Sequence, residues 1–214
     1  AVRFVNESNS YHHFASAMQS RAENAPCFLI CDALAMKRYG LGLARPAPVN
    51  NDALVKAGYL HQAETLAELA QQLGLDPQTL AETVARYNRD AAQGHDPEFA
   101  KGGNSYNRAM GDPGHRPNAC NAPLTSPPFY AITLYTGDLG TSRGLVTTAN
   151  AQVINQQGRP IKGLYAVGND MDSIMAGTYP GPGITLGPAL TFGYLSASHM
   201  AQQHALSTGE NYDL

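Results

Sequence analysis

The clearest periodicity lies in the middle of the chain. Leu66, Leu69, Ala70 and Leu73 recur at i, i+3, i+4 and i+7, which predicts an amphipathic helix over 65–73 with Gly74 at its C′ position. Asp76-Pro77 is an N-cap with proline at N1. Leu80, Val84 and Tyr87 share one face of the helix it opens, which runs to about Gln93 before Gly94 stops it. Upstream, residues 2–6 read as a short strand, and Ser8 to Ser10 offer caps for a helix over about 11–22. Pro26 opens a second strand, Cys27 to Cys31, and Asp32 can cap a short helix after it. Pro46 and Pro48 make 43–52 a loop. From His95 to Pro128 glycine, proline and asparagine dominate without periodicity, which predicts a long loop of the functional or partner-covered kind.

The final third changes character. Phe129 to Tyr135, Gly144 to Thr148 and Ala151 to Ile154 are strand-like, and Gln156-Gln157-Gly158 is a hairpin signal. Gly163 to Val167 reads as a compact buried strand ending in Gly168-Asn169-Asp170. After a loop to Gly183, a long apolar helix is expected from about Leu186 to His204. No internal repeat is visible. The natural boundary falls near 137–144, between a mixed α+β lobe and a strand–loop–helix lobe.

Composition narrows the classes. Charged residues make up 14% of the 214-residue chain, against about 25% in ordinary soluble domains. The 21 glycines and 14 prolines exceed the usual share and imply long ordered loops or surfaces meant to be covered. An apolar content of 43% argues against disorder. A net charge of −3 excludes a polycationic nucleic-acid binder. No apolar run approaches the roughly 18 residues of a membrane span, and the start turns polar too soon for a signal peptide. The first residue is Ala1 rather than methionine, which reads as a processed or trimmed end. Three cysteines, an odd number, speak against a disulfide framework and predict a reducing, cytoplasmic location. Cys27 and Cys31 read as small buried hydrophobes. With no second Cys/His pair at zinc spacing, no metal site is expected.

The chemistry concentrates in Thr178-Tyr179-Pro180-Gly181-Pro182-Gly183-Ile184-Thr185-Leu186-Gly187-Pro188-Ala189-Leu190-Thr191. Glycines and prolines here make a rigid turn with bare backbone, and the turn runs straight into a helix. Such a terminus aims unpaired N–H groups and the positive end of the dipole at its ligand, favouring a phosphate, a carboxylate or the N1–C2=O edge of a reduced flavin. Gly181-x-Gly183-x-x-x-Gly187 is neither the dinucleotide fingerprint nor a Walker loop. The strand before it leaves polar Asn169 and Asp170 at its carboxyl end, where α/β sheets bind ligands.

Gly163-Leu-Tyr-Ala-Val-Gly-Asn-Asp170 followed by Thr178-Tyr-Pro-Gly-Pro-Gly-Ile-Thr-Leu-Gly-Pro-Ala-Leu-Thr-Phe-Gly193 closely resembles the C-terminal signature of the FAD-dependent fumarate reductase/ketosteroid dehydrogenase superfamily. Arg3-Phe-Val-Asn-Glu7 with Ser10-Tyr11-His12 is similar to that family's capping-domain entry, and 138–148 to its return crossing. The resemblance spans nearly the whole chain. It implies an α+β capping lobe over 1–137, then over 138–214 the C-terminal segment of a Rossmann-like α/β FAD domain. The family's N-terminal strand–Gly-x-Gly-x-x-Gly–helix has no counterpart here; Gly40-Leu-Gly42-Leu-Ala-Arg45 lacks the third glycine. The resemblance therefore implies an incomplete flavoprotein whose partner is the missing N-terminal FAD-binding part.

Within the superfamily, dicarboxylate reductases place arginines where this chain has Tyr11 and Ile184, so a dianion would lose its bidentate partners. Tyrosine in the first place and Tyr-Pro-Gly-x-Gly in the second resemble the ketosteroid delta-1-dehydrogenase branch. That branch implies a small apolar carbonyl substrate, FAD as cofactor and an unidentified electron acceptor. Tyr179 O–H and Gly183 N–H would hold the ketone oxygen, and Tyr11 would remove the adjacent proton. That last role needs a phenol pKa lowered from about 10. Asn169 and Asp170 would contact the ribityl region, and Thr185, Ala189 and Leu190 the flavin at a helix beginning near Ala189.

Blander alternatives stand beside these roles. Tyr11 is otherwise a packed helix-start aromatic and Tyr179 a turn anchor. Glu7 reads as a structural acceptor, His12 and His13 as non-ligands, and His199 and His204 as complements to the helix dipole. Fumarate-like reduction of an unsaturated acid, or an inactive binding domain lacking the ADP half of the site, are the rival functions.

Overall fold

In a computed structural model, described over residues 1–209, a three-stranded antiparallel sheet anchors the first part of the chain. Its strands are β1 (Cys27–Cys31), β2 (Leu60–Ala63) and β3 (Phe129–Leu134), in the order β1-β3-β2. Cys31 faces Tyr130 and Leu60 faces Ile132 across the ladders. Alternation along β3 sends Ile132 to one face with Met36, Leu41, Ala44 and Leu60, and sends Phe129 and Ala131 to the other with Ala63 and Leu69. A strand buried on both faces needs helices to cover it.

Those helices form where the caps and periodicity place them. Asp32 accepts from Ala35 N–H at 2.9 Å and opens α2 (Ala33–Tyr39), after α1 (Tyr11–Gln19); α3 (Asp52–Lys56) precedes β2. Thr65 and Glu68 close a reciprocal capping box on α4 (Leu66–Gln72), and Gly74 takes φ +67° beyond it. Asp76 caps α5 (Pro77–Ala91), whose Leu80 and Val84 pack with Ala70 of α4.

The expected strand over 2–6 does not form. This segment pairs with no strand among the described residues; side chains hold it instead. Arg3 bonds Asp96 and Glu7, and Asn6 Nδ2 donates to Asn107 Oδ1 at 3.0 Å. The first helix also ends earlier than expected, at Gln19. Ser20 Oγ and Asn24 Nδ2 both donate to Ala17 O, turning the chain into a 3-10 turn at Ala22–Asn24. The long loop carries one helix, α6 (Ser105–Met110), capped by Asn104.

A second unit gathers Ser10–His12 with the chain from Gly137 onward; Ala1–Asn9 and His13–Thr136 make the first. In the second unit β4 (Gln152–Ile154) pairs with β5 (Pro160–Tyr165) across a turn where Gly158 has φ +74°. β5 begins at Pro160 and is exposed rather than buried, because β4 is its one neighbour among the described residues. Gly144 to Thr148 makes isolated bridges, Leu145 with Met171 and Thr147 with Val153, rather than a strand. The last helix, α7 (Leu186–Thr208), is longer than expected. Ser196 is its one fully buried residue among those described, while Leu186, Leu190 and Tyr194 are exposed along one stripe.

Candidate functional site

The second unit brings together most of the residues singled out from sequence. Between β5 and α7 the chain makes a 3-10 turn at Gly168–Asp170, then a tight turn in which Thr178 N–H and Oγ1 both bond Met175 O. That turn presents Tyr179, whose ring lies 6.0 Å from the ring of Tyr11, tilted by 41°. Tyr11 is 62% exposed and Tyr179 half-buried.

Pro180 and Pro182 stiffen the link that follows. Gly183 takes φ +91°, a conformation an L side chain resists, and its carbonyl accepts from Gly187 N–H at 2.8 Å. Its own N–H donates to no backbone carbonyl among the described residues. The Thr185 side chain caps nothing, so α7 starts without a side-chain partner for its first N–H groups. Pro188 falls in that first turn, where it lacks a donor the helix does not need. The helix begins at Leu186, where the apolar run places it and three residues before the start near Ala189 that the family resemblance implied. Ala189 N–H is consequently engaged with Thr185 O at 3.2 Å, and Leu190 sits in the second turn with its side chain exposed.

Asn169 and Asp170 are both exposed on the 3-10 turn. Backbone holds this turn from two sides: Thr141 Oγ1 donates to Asn169 O, and Leu145 N–H to Asp170 O at 2.8 Å. Gly168 backs onto the first turns of α7; a β-carbon there would stand 3.3 Å from Ala189 Cβ. Tyr165 O–H and His199 Nδ1 lie 2.7 Å apart, tying β5 to α7, so His199 serves as a side-chain partner rather than only as a complement to the helix dipole.

Glu7 is a structural acceptor. Burial pushes its carboxyl up, but Lys101 and Arg3 outweigh that and hold it below the ordinary carboxylate range. Asp96 is lowered in the same way, burial being overcome by hydrogen bonds from Arg3 and from the Lys101 backbone N–H. Arg3 also lies over the rings of Tyr87 and Phe99, 5.1 and 4.9 Å from their centroids. Arg3, Glu7, Tyr87 and Lys101 border an apolar cavity of about 410 Å³ in the first unit, lined also by Phe4, Phe28, Leu80 and Val84. Sequence reasoning missed this cluster, and the fully buried Asn107 beside it. Arg3 and Asn6 lie about a hundred residues before their partners Asp96 and Asn107, with no shared motif.

The three cysteines are free. Burial, with Asp32 adding to it, pushes the Cys31 thiol up to about 12, and burial raises Cys27 and Cys120, so none is an activated nucleophile. His13 Nδ1 lies 2.8 Å from Asn9 Nδ2. Among the described residues no group of His, Cys, Asp and Glu could hold a metal ion, and no helix is long and apolar enough to cross a membrane.

Residues 1–186 match the family model described as FAD binding domain. A 4-oxocyclohex-2-ene-1-carboxylate 5-dehydrogenase of Sinomonas cyclohexanicum is 40% identical over 203 residues, covering 94% of this chain and 34% of that protein. A 3-oxosteroid 1-dehydrogenase of Mycobacterium tuberculosis is 39% identical over 209 residues, covering 94% of this chain and 37% of the relative. The crystal structure of a 3-ketosteroid delta1-dehydrogenase from Sterolibacterium denitrificans, in complex with 1,4-androstadiene-3,17-dione, superposes with a TM-score of 0.84 at 40% identity. That match covers 94% of this chain and 37% of the other. The chain spans about a third of the length of the relatives it matches.

Proposed function

The chain belongs to the FAD binding domain family of flavoprotein dehydrogenases, and from that premise we propose that it desaturates a cyclic ketone next to its carbonyl as part of a longer FAD-dependent enzyme. Residues 1–137 would be the substrate-binding capping lobe and 138–214 the C-terminal segment of the FAD domain. The nucleotide-binding half would come from an N-terminal part like the one the family carries. The observation that carries this reading is the Tyr11–Tyr179 ring pair at the head of the Tyr-Pro-Gly-Pro-Gly turn.

The local backbone suits a flavin. Gly183 at φ +91° and the α7 start without a side-chain cap leave donors and bare backbone on one side of the unit, with Asn169 and Asp170 exposed beside Gly168. Asn169, Asp170, Thr185, Ala189 and Leu190 would hold it. When bound, FAD supplies the two-electron acceptor for the hydride.

The chain's own residues do the rest. Tyr179 O–H and Gly183 N–H donate to the ketone oxygen and stabilise the negative charge that grows there as the neighbouring C–H bond weakens. Tyr11 takes that proton. An external electron acceptor completes the cycle. The named substrates of the relatives, a 3-oxosteroid and an oxocyclohexenecarboxylate, share a ring ketone, and that class is the one proposed here.

The full-length protein should purify yellow, with flavin absorbance in the visible, and should reduce an artificial acceptor when given a 3-oxosteroid or 4-oxocyclohexanecarboxylate. Colourless protein that takes up no added FAD, or coloured protein that oxidises neither ketone, would refute the reading.

A further inference from the structure

Two stretches of backbone in the first unit lack hydrogen-bond partners, and they border one cavity. The first is residues 2–5, where the sequence predicts a strand. Among the described residues no backbone N–H or carbonyl of Val2, Arg3, Phe4 or Val5 is hydrogen-bonded, although Val5 is buried and Arg3 and Phe4 are half-buried. The second is the outer edge of β1. That strand pairs with β3 on one side, and none of its backbone groups bonds anything beyond this ladder among the described residues. Its sequence, Cys-Phe-Leu-Ile-Cys, carries no lysine, proline or charge of the kind that blunts a free edge.

The cavity of about 410 Å³ joins the two stretches. Residues 1–5 and 27–30 both line it, and Phe14, Leu80 and Val84 add apolar side chains. Unbonded backbone beside apolar side chains is costly, and one extended segment lying there would satisfy both stretches. The four β1 residues at the cavity span about 13 Å, the length of a short strand.

The occupant must be extended and apolar at alternate positions, and it must reach this point. The chain before Ala1 meets the last condition. Ala1 itself lines the cavity, and its carbonyl accepts from Thr83 Oγ1 at 2.9 Å, so any preceding residue departs from the cavity wall. The matched relatives supply ample length, since this chain covers 34% and 37% of them.

We propose that the residues just before Ala1 in the full-length protein fold back as an apolar strand in this cavity. The strand would pair with 2–5 across a tight turn and with the outer edge of β1, extending the three-stranded sheet. This rests on the N-terminal part assigned above and not on the ketone chemistry.

Amide hydrogen exchange of the full-length protein tests the strand. Residues 2–5 and all of Cys27–Cys31 should exchange about a hundred-fold or more slower than unstructured chain. Proline substitutions walked through the last ten or so residues (~10) before Ala1 should include positions that release both stretches together, by about ten-fold or more, while Leu60–Ala63 stays protected. Free exchange of 2–5 in the parent would overturn the inference. So would protection that fades on dilution, which marks a second copy, or that appears only with an added 3-oxosteroid, which marks a bound ligand. Protection that no proline disturbs assigns the cavity to another part of the chain and overturns it too. Where every effective proline also releases Leu60–Ala63, a crystal structure of the parent decides by what fills the cavity. Protein that takes up no FAD and oxidises neither ketone defeats the desaturation reading alone, and the exchange pattern still decides on the strand.

Discussion

Truncating Asn107 to alanine removes the hub that fixes the chain just before Tyr11. Its side chain is fully buried and makes four hydrogen bonds. Oδ1 accepts from Asn6 Nδ2 at 3.0 Å and from Gly102 N–H at 3.1 Å, while Nδ2 donates to Ser8 O at 2.8 Å and Asn9 Oδ1 at 3.1 Å. Each bond contributes about 1 kcal/mol net, and the buried partners left behind lose their compensation, so Asn107→Ala should cost about 3–5 kcal/mol. With a urea m-value of about 2 kcal/mol/M, the midpoint should fall by about 2 M at unchanged m. Far-UV circular dichroism in urea reads this directly, and hydrogen exchange should show earlier opening around Ser8 and Asn9. A loss below about 1 kcal/mol would refute the reasoning, because it would mean that the four groups find other partners.

Three further outcomes follow from the geometry. In the holoenzyme, Tyr179→Phe should lower kcat by about a hundred-fold or more with little change in KM; unchanged turnover would remove Tyr179 from the developing oxyanion. Glu7 and Asp96 have folded pKa values below their unfolded ones, so their stabilisation is fully present above the unfolded values, from about pH 5 upward, and drains as pH falls through the folded values. Arg3→Met should therefore destabilise most at neutral pH and progressively less as pH falls through the folded values, and an equal cost at neutral and acid pH in urea titrations would contradict this pairing. Gly144→Ala should cost about 1–3 kcal/mol by forcing Asp170 O away, and should weaken flavin retention on gel filtration; a parent-like melting temperature and parent-like flavin content would show that the close approach is dispensable.

Local signals carried much of the first unit. Asp32 and Asp76 each cap the helix that the pattern placed after them, because a cap is a contact over three residues and reads directly from sequence, and Thr65, the first residue of the helix expected over 65–73, is its cap. The strand at Cys27–Cys31 was legible for the same reason, an apolar run after a proline. The segment at 2–6 was not, since whether it joins a ladder depends on partners a hundred residues away, and here Asp96 and Asn107 take it with side chains instead. The exposed β5 and the extension of α7 past His204 are likewise settled by neighbours and end geometry that periodicity does not encode.

For the site, the Tyr-Pro-Gly-Pro-Gly run announced itself, because glycine and proline spell out backbone geometry in one dimension. What only tertiary structure decided is which side chains share that backbone. Tyr11 and Tyr179 are 168 positions apart and meet ring to ring, and Thr141 and Leu145 bond the carbonyls of Asn169 and Asp170 across a separation of more than twenty residues. Sequence specified the local conformations here, since those depend on steric and capping terms within a few residues. Convergence of the two tyrosines at one turn arises from long-range packing, and only the folded chain contains it.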